Sequence, residues 1–360
     1  MNKLLDRYLR DLEERIDPAV EEDLLSRWVN FTEGNFSGSL FSPKRERPIP
    51  PQIEWPEVKV NETLDDFDKM ALGQFKACSD LLAAGGGSLL AVRANYGTGI
   101  IPSLFGAELF VMEEELDTLP TTRPLKGGKE AIRRLIDRGI PDLEQGLGGK
   151  VFEMGRRFCR IGERYPRIGK YVRLYHPDTQ GPMDICELLW GSDLFLDVIE
   201  EPQLVHRLLE LVTETYIAFM KKWEENFPFW EEDYEVHWGL LHGGNIMLRD
   251  DSAMNFSPQF FDEFIKPYDE RLLREFDGGA LHFCGRGDHY IESASTMAGL
   301  HAINMSQPDY NDMEPIYSHT VDKGINIVGL SREEALRAVG DGRDLRSLVH
   351  CPAGEGSGLI

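Results

Sequence analysis

Apolar residues recur at helical spacing through the start of the chain: Leu4, Leu5, Tyr8, Leu12 and Ile16, then Val20, Leu24, Leu25 and Trp28. Steps of three and four residues place each set on one helix face. Asp17-Pro18 separates the two helices, with proline at the start of the second. Glu13, Glu14, Glu21 and Glu22 fall between the apolar positions and predict solvated faces. The period is lost over residues 31–63, where Pro43, Pro48, Pro50, Pro51 and Pro56 predict an irregular arm, with Trp55 pinning it to the body.

From residue 64 the pattern alternates. A helix over 64–83 leads through Gly85-Gly86-Gly87 into an apolar run at 88–93. Further runs follow at 171–175, 235–240, 280–283, 302–305, 325–329 and 347–350, with a weaker one at 108–112. Helical stretches at 201–225, 257–277 and 331–340 separate several of them, and Ser257-Pro258 supplies a cap and a first-turn proline for one. Alternating strands and helices predict an α/β fold with a parallel sheet. Repeated wrapping over such a length favours a closed (β/α)8 barrel (a TIM barrel), with an open doubly wound sheet as the alternative. The expected organisation is an N-terminal helical extension and arm at 1–63, then a barrel at 64–360.

Composition narrows the partners. A formal charge of -23 argues against nucleic acid and anionic membrane surfaces. No apolar run approaches the ~20 residues of a membrane-spanning helix. Five scattered cysteines (78, 159, 186, 284 and 351) fit a reducing compartment better than a disulfide framework, and the expected location is cytoplasmic. Neither G-x-G-x-x-G nor a P-loop pattern follows a strand, so the glycine clusters carry no nucleotide signal.

The candidate chemistry gathers at the strand ends, where a barrel of this kind carries its active site. Arg93, Asn95 and Tyr96 follow one run; His176, Asp178 and Gln180 follow another; then come His242, Asn245, Arg249, Asp250 and Asp251. His282 and Cys284 stand two apart at the end of a buried strand, so both point the same way before Gly285 turns the chain. Alone, the pair reads first as a buried thiol and a hydrogen-bonded core histidine. Cys351, at the end of the last run, would be a third soft ligand if the barrel closes. His282, Cys284 and Cys351 would then leave a fourth tetrahedral position open, the arrangement of a catalytic zinc. Asp250 or Asp251 could take that fourth position or orient a ligand.

At these residues the chain resembles the uroporphyrinogen decarboxylase superfamily, which includes cobalamin-dependent methyltransferases. The blocks are Asn95-Tyr96-Gly97-Thr98-Gly99 through Phe105-Gly106; Asp178-Thr179-Gln180-Gly181-Pro182 with Glu201-Pro202; Asp250-Asp251 with Phe256-Ser257-Pro258 and Lys266-Pro267-Tyr268; and His282-Phe283-Cys284-Gly285. The resemblance implies a (β/α)8 barrel with its site at the C-terminal rim. The decarboxylases' N-terminal Arg-Gln-Ala-Gly-Arg type motif is missing from residues 1–90. Gly97 stands where their essential Asp belongs, and Leu188 where their Tyr belongs. The methyltransferase branch binds zinc through His-x-Cys and a distant Cys, which maps onto His282, Cys284 and Cys351.

The leading expectation from the resemblance is therefore a zinc-dependent methyltransferase or demethylase working with a corrinoid carrier protein and a thiol. Asp250, Asp251, Asp178 and Arg93 would shape its pocket. A carboxy-lyase using Arg93, Tyr96 and His350 on a carboxylated substrate, without a cofactor, is the alternative. A barrel that only holds a tetrapyrrole or corrinoid is a third reading. His350 and Cys351 compete for the role of functional late residue.

Overall fold

The computed structural model describes residues 3–229 and 233–353. Its N-terminal part has helices α1 (Lys3–Arg15), α2 (Pro18–Thr32), α3 (Val60–Thr63) and α4 (Phe67–Ala84). The strands are β1 (Ala91–Val92), β2 (Glu108–Phe110), β3 (Thr121–Arg123), β4 (Arg173–Leu174), β5 (Tyr234–His237), β6 (Leu240–Gly243), β7 (Ile246–Arg249), β8 (Gly279–Phe283), β9 (Leu300–Met305) and β10 (Asn326–Ile327). Strands β7 to β10 form a parallel four-stranded sheet in the order β10-β9-β8-β7, and β1 pairs in parallel with β4. The fold is α/β, with several small sheets among many helices.

The described pairings do not join into one closed ring of eight strands. The weak run at 108–112 is not a barrel strand: β2 pairs antiparallel with β3. The run at 235–240 is a hairpin, β5 antiparallel to β6 around Trp238-Gly239. Ile246 to Arg249, outside the runs of the hydrophobic pattern, forms the edge strand β7 beside β8. The last run, near 347–350, contributes single parallel bridges of Val349 to Ile327 and of His350 to Phe41. The helix expected over 257–277 begins at Pro258 with Ser257 as its cap, then widens into a π turn over Phe261–Ile265 just before Pro267. Proline has no N–H to continue the ladder, which accounts for the interruption.

Strand alternation sends each strand's two faces into different cores. Ile246, Leu248, Leu281, Ile303 and Ile327 join the large core with the surrounding helices. Met247, Ala280, Ala302 and Val328 face a second core. The two alanines leave space on that face, and Val236, Leu240 and Leu241 of the hairpin fill it together with Trp28, Phe31 and Phe41. The N-terminal residues are thus built into the inner core. Arg45, almost fully buried, pairs with Glu21 at 2.7 Å, and the Trp28 indole N–H donates to the Gly87 carbonyl at 2.8 Å. Trp55 pins the arm by donating to Asp11 at 3.1 Å. Among the described residues no helix is long and apolar enough to cross a membrane.

Candidate metal centre

Register decides what meets at the top of the inner face. Met247, Ala280 and Ala302 align across β7, β8 and β9, and one step of two further along Arg249, His282 and Asn304 align. The same face therefore changes from apolar to polar toward the strands' C-terminal ends. Cys284 continues the alternation from His282, and Gly285 (φ +74°) then turns the backbone where a side chain would strike Met254.

Asp251, His282 and Cys284 bring one ligand atom each to within 4.8 Å of one another, and they are the one such group of three or more among the described residues. His282 Nε2 lies 3.6 Å from Cys284 Sγ and 3.9 Å from Asp251 Oδ1. The other ring nitrogen, Nδ1, is 2.6 Å from Asn304 Oδ1. Asn304 spends its amide N–H on the Val328 carbonyl at 2.6 Å, so its oxygen must accept, Nδ1 must carry the proton, and Nε2 is left with a lone pair. The Cys284 backbone N–H donates to Asp251 Oδ1 at 2.7 Å, which fixes the carboxylate beside the thiol. Burial holds His282 below its ordinary pKa and pushes the Cys284 thiol up to about 11, with the Asp251 charge adding to the latter.

Beside His282 stands a wall of charge. Asp178 is shared by two buried guanidiniums, Arg249 at 2.5 Å and Arg93 at 3.1 Å. Burial opposes the Asp178 charge, but Arg249 and Arg93 hold its carboxyl below the usual range. Arg93 also donates to the Tyr175 hydroxyl at 3.0 Å. The Trp238 ring covers both cations, 4.9 Å from Arg249 and 5.9 Å from Arg93, and meets the His282 ring edge-on at 4.9 Å.

Behind Asp251 the carboxyls are buried. Asp184 accepts the backbone N–H groups of Asp251 and Ser252 at 2.9 and 2.8 Å. Asp250 and Asp269 are buried together, and none of their four carboxyl oxygens accepts a hydrogen bond from another residue among the described residues. Burial and mutual repulsion push the Asp250 carboxyl up, so the pair keeps a proton between them. Gly181 permits the approach of Asp250, since a side chain there would collide with its oxygen. Next to Asp251 opens a cavity of about 510 Å³.

Of the residues singled out in the sequence, His282, Cys284 and Asp251 come together, with Arg93 and Asp178 on the adjoining wall and Asp250 beneath. Three others are elsewhere. Tyr96 is buried in the large core, where its hydroxyl feels Arg157 and Asp65. His350 packs on Trp28 at 4.5 Å and accepts the Gly329 N–H at 3.0 Å. Cys351 is buried in the large core, its thiol beside Ser42 and Arg332. Alternation from His350, which faces the inner core, turns Cys351 to the opposite face from His282.

Three groups escaped the sequence reading: Asp184, Trp238 and a chain of imidazoles. His237 Nε2 contacts His176 Nε2 at 2.6 Å, and His237 Nδ1 contacts His242 Nε2 at 2.7 Å. His176 Nδ1 and His242 Nδ1 face the Pro177 and Gly243 carbonyls at 2.8 and 2.9 Å. No local pattern unites residues this far apart; only the hairpin turn does.

Neither a protein-family model nor a curated protein sequence matches the chain. Among solved structures the fold is similar to a methyltransferase from Methanosarcina mazei, with a TM-score of 0.62 at 16% identity, covering 91% of this chain and 92% of that one. The likeness extends over nearly the whole chain and is one of fold.

Proposed function

We infer that the chain is a zinc-dependent methyl-transferring enzyme of the uroporphyrinogen decarboxylase-like superfamily, built on its barrel, that moves a methyl group between a corrinoid carrier protein and a thiol. The observation that carries this reading is the convergence of Asp251, His282 and Cys284 at the C-terminal end of the sheet. The fold likeness to a methyltransferase supports it.

His282 through Nε2, Cys284 through Sγ and Asp251 through a carboxylate oxygen would hold the ion. One nitrogen, one sulfur and one oxygen suit zinc and leave a position for substrate. Bound there, zinc supplies a Lewis acid that keeps a substrate thiol ionised at neutral pH. The chain's residues do the positioning. Asn304 holds the imidazole in the ligating tautomer, and the Cys284 amide orients Asp251. Arg93, Asp178, Arg249 and Trp238 form a rigid flank beside His282.

Metal analysis of untagged protein is expected to return about one zinc per chain, lost in Cys284→Ser and Asp251→Asn and kept in Cys351→Ser. Zinc-free wild type, or zinc content indifferent to Cys284→Ser, overturns the reading. Transfer from methylcobalamin to a thiol, followed by the cobalamin spectrum, tests the reaction itself. The carboxy-lyase alternative has less support, because it needs Arg93, Tyr96 and His350 to converge. Arg93 is engaged with Asp178, Tyr96 lies in the large core and His350 packs on Trp28.

A further inference from the structure

Strand β9 supplies a neighbour to each soft ligand that β8 presents. Parallel pairing sets His282 beside Asn304 and Phe283 beside Met305. The Ser306 N–H donates to the Phe283 carbonyl at 3.2 Å and carries the ladder one residue further. Ser306 therefore stands beside Cys284 as Asn304 stands beside His282, and its hydroxyl lies 3.4 Å from Cys284 Sγ. The turn that follows is fixed to the same segment. The Gly285 N–H donates to Gln307 Oε1 at 2.6 Å, and the Asn311 amide donates to the Gly285 carbonyl at 3.0 Å.

The direction of the Ser306 contact depends on the sulfur. A thiol donates its proton to the Ser306 oxygen; a thiolate has none to give, so beside a thiolate the hydroxyl turns and donates. Ser306 is free to turn, because its hydroxyl makes no other hydrogen bond among the described residues. The sulfur's other polar neighbours do not donate. His282 Nε2 presents a lone pair, and the Asp251 carboxylate only accepts. Methyl transfer to a thiol gives this one donor a purpose. At such a centre two sulfurs compete for one methyl group, the substrate's and that of Cys284, which is only half-buried. A thiolate that accepts a hydrogen bond is less basic, and it attacks carbon more slowly as its basicity falls.

We propose that Ser306 is a positioning residue that keeps a hydrogen bond on the Cys284 sulfur, spares that sulfur from alkylation, and so leaves the methyl group to the substrate thiol. The proposal rests on the metal-centre reading, in which Cys284 is an ionised ligand. Asn304 and Ser306 then act in opposite senses from one strand: the first frees an electron pair on His282, the second engages one on Cys284.

The experiment is alkylation of zinc-supplemented protein by iodoacetamide, followed residue by residue with peptide mass spectrometry. The Cys284 sulfur attacks the methylene carbon, an S–C bond forms, and iodide leaves with the electrons of the C–I bond. Cys159, exposed and remote from the centre, serves as the reference thiol in each sample. Ser306→Ala is expected to raise the Cys284 rate about three- to tenfold relative to Cys159, as loss of a hydrogen bond to a charged sulfur does when attack feels about half of it. Ser306→Thr and Ser306→Val share a shape and differ in the hydroxyl. Thr is expected to keep the wild-type rate and Val to match Ser306→Ala, which separates the hydrogen bond from packing. A Cys284 rate indifferent to Ser306→Ala, or equal in the Thr and Val variants, overturns the proposal. Zinc content is measured on the same samples. Zinc-free wild type removes the metal reading and this one with it, whereas zinc retained with an unchanged Cys284 rate removes only this one. Zinc lost from Ser306→Ala alone overturns it as well, since the hydroxyl would then hold the ion and not shield the sulfur.

Discussion

Trp238 adopts a φ of +52° and Gly239 one of +76°, the backbone of a two-residue hairpin turn that favours Asn-Gly. A bulky side chain in this region is strained by roughly 1–2 kcal/mol. The strain places the indole over Arg249 and Arg93 and against His282, which is where strained residues tend to serve a site. Trp238→Asn relieves the backbone while losing the ring contacts. Trp238 is only partly buried, so the relief offsets most of what the lost contacts cost, and the unfolding free energy in urea is expected to stay within about 1 kcal/mol of wild type. A loss of clearly more than about 2 kcal/mol would show the turn unstrained. His350 gives a second residue-scale expectation. Burial pushes its pKa down to about 3, against ~6.5 in an unfolded chain. The folded state therefore excludes a proton that the unfolded state binds, so this stability is complete above pH 6.5 and declines as the pH falls toward 3. The slope from this one group is about 1.4 kcal/mol per pH unit. His350→Gln, which keeps an acceptor for Gly329, is expected to flatten the urea stability profile between pH 7 and 5. An unchanged slope would mean that His350 is not held neutral. At this scale the pairing of His282 with Cys284 is legible because two-residue spacing at a strand end is a local fact, whereas the choice of Asp251 over Asp250 is not. The position of Cys351 is not legible, because its face depends on the register of a segment that makes only isolated bridges.

The hairpin of β5 and β6 shows what an element adds. It carries His237 and His242 to His176 and so creates four hydrogen-bonding contacts in a row. Burial comes first among the causes that push His176 to about 3 and His242 to about 4, so at neutral pH the rings are uncharged. Three neutral imidazoles carry three protons, and four contacts need four. One contact must lack its proton, and the longest, His242 Nδ1 to the Gly243 carbonyl at 2.9 Å, is the least costly to leave empty. The Met247 N–H donating to His176 Nε2 at 3.3 Å agrees with this order. Nitrogen-15 spectra at pH 7 are expected to show His176 protonated at Nδ1 and both His237 and His242 at Nε2. Protonation of His242 at Nδ1 would contradict it. The hairpin itself was hidden in the sequence, since Trp238 occupies a turn position where Asn or Gly is the usual signal. The strand β7 was hidden too, being four residues long and preceded by Gly243-Gly244.

Across the whole molecule, the inner core joins the first helices to the last strands. Trp28 from α2 is fully buried among Phe31, Phe41 and His350, beneath Ala280 and Ala302. Small residues on the sheet and large ones from the N-terminal segment fill one space, so neither packs without the other. Trp28→Ala is expected to cost about 3–5 kcal/mol and to lower the melting temperature of the whole chain in a single transition. A separate early transition, with the rest of the cooperative melt unchanged, would show the N-terminal segment folding independently. Hydrophobic period and proline placement determined by themselves that this chain is α/β, where several of its helices begin, and that His282 and Cys284 share a face. Those properties depend on neighbours within a few residues. Tertiary structure alone decided that Asp251 completes the cluster, that Cys351 lies on the far face, and that three distant histidines form one chain. Register, turn type and the meeting of strands are set by contacts between segments tens to hundreds of residues apart, and a local pattern carries no record of them.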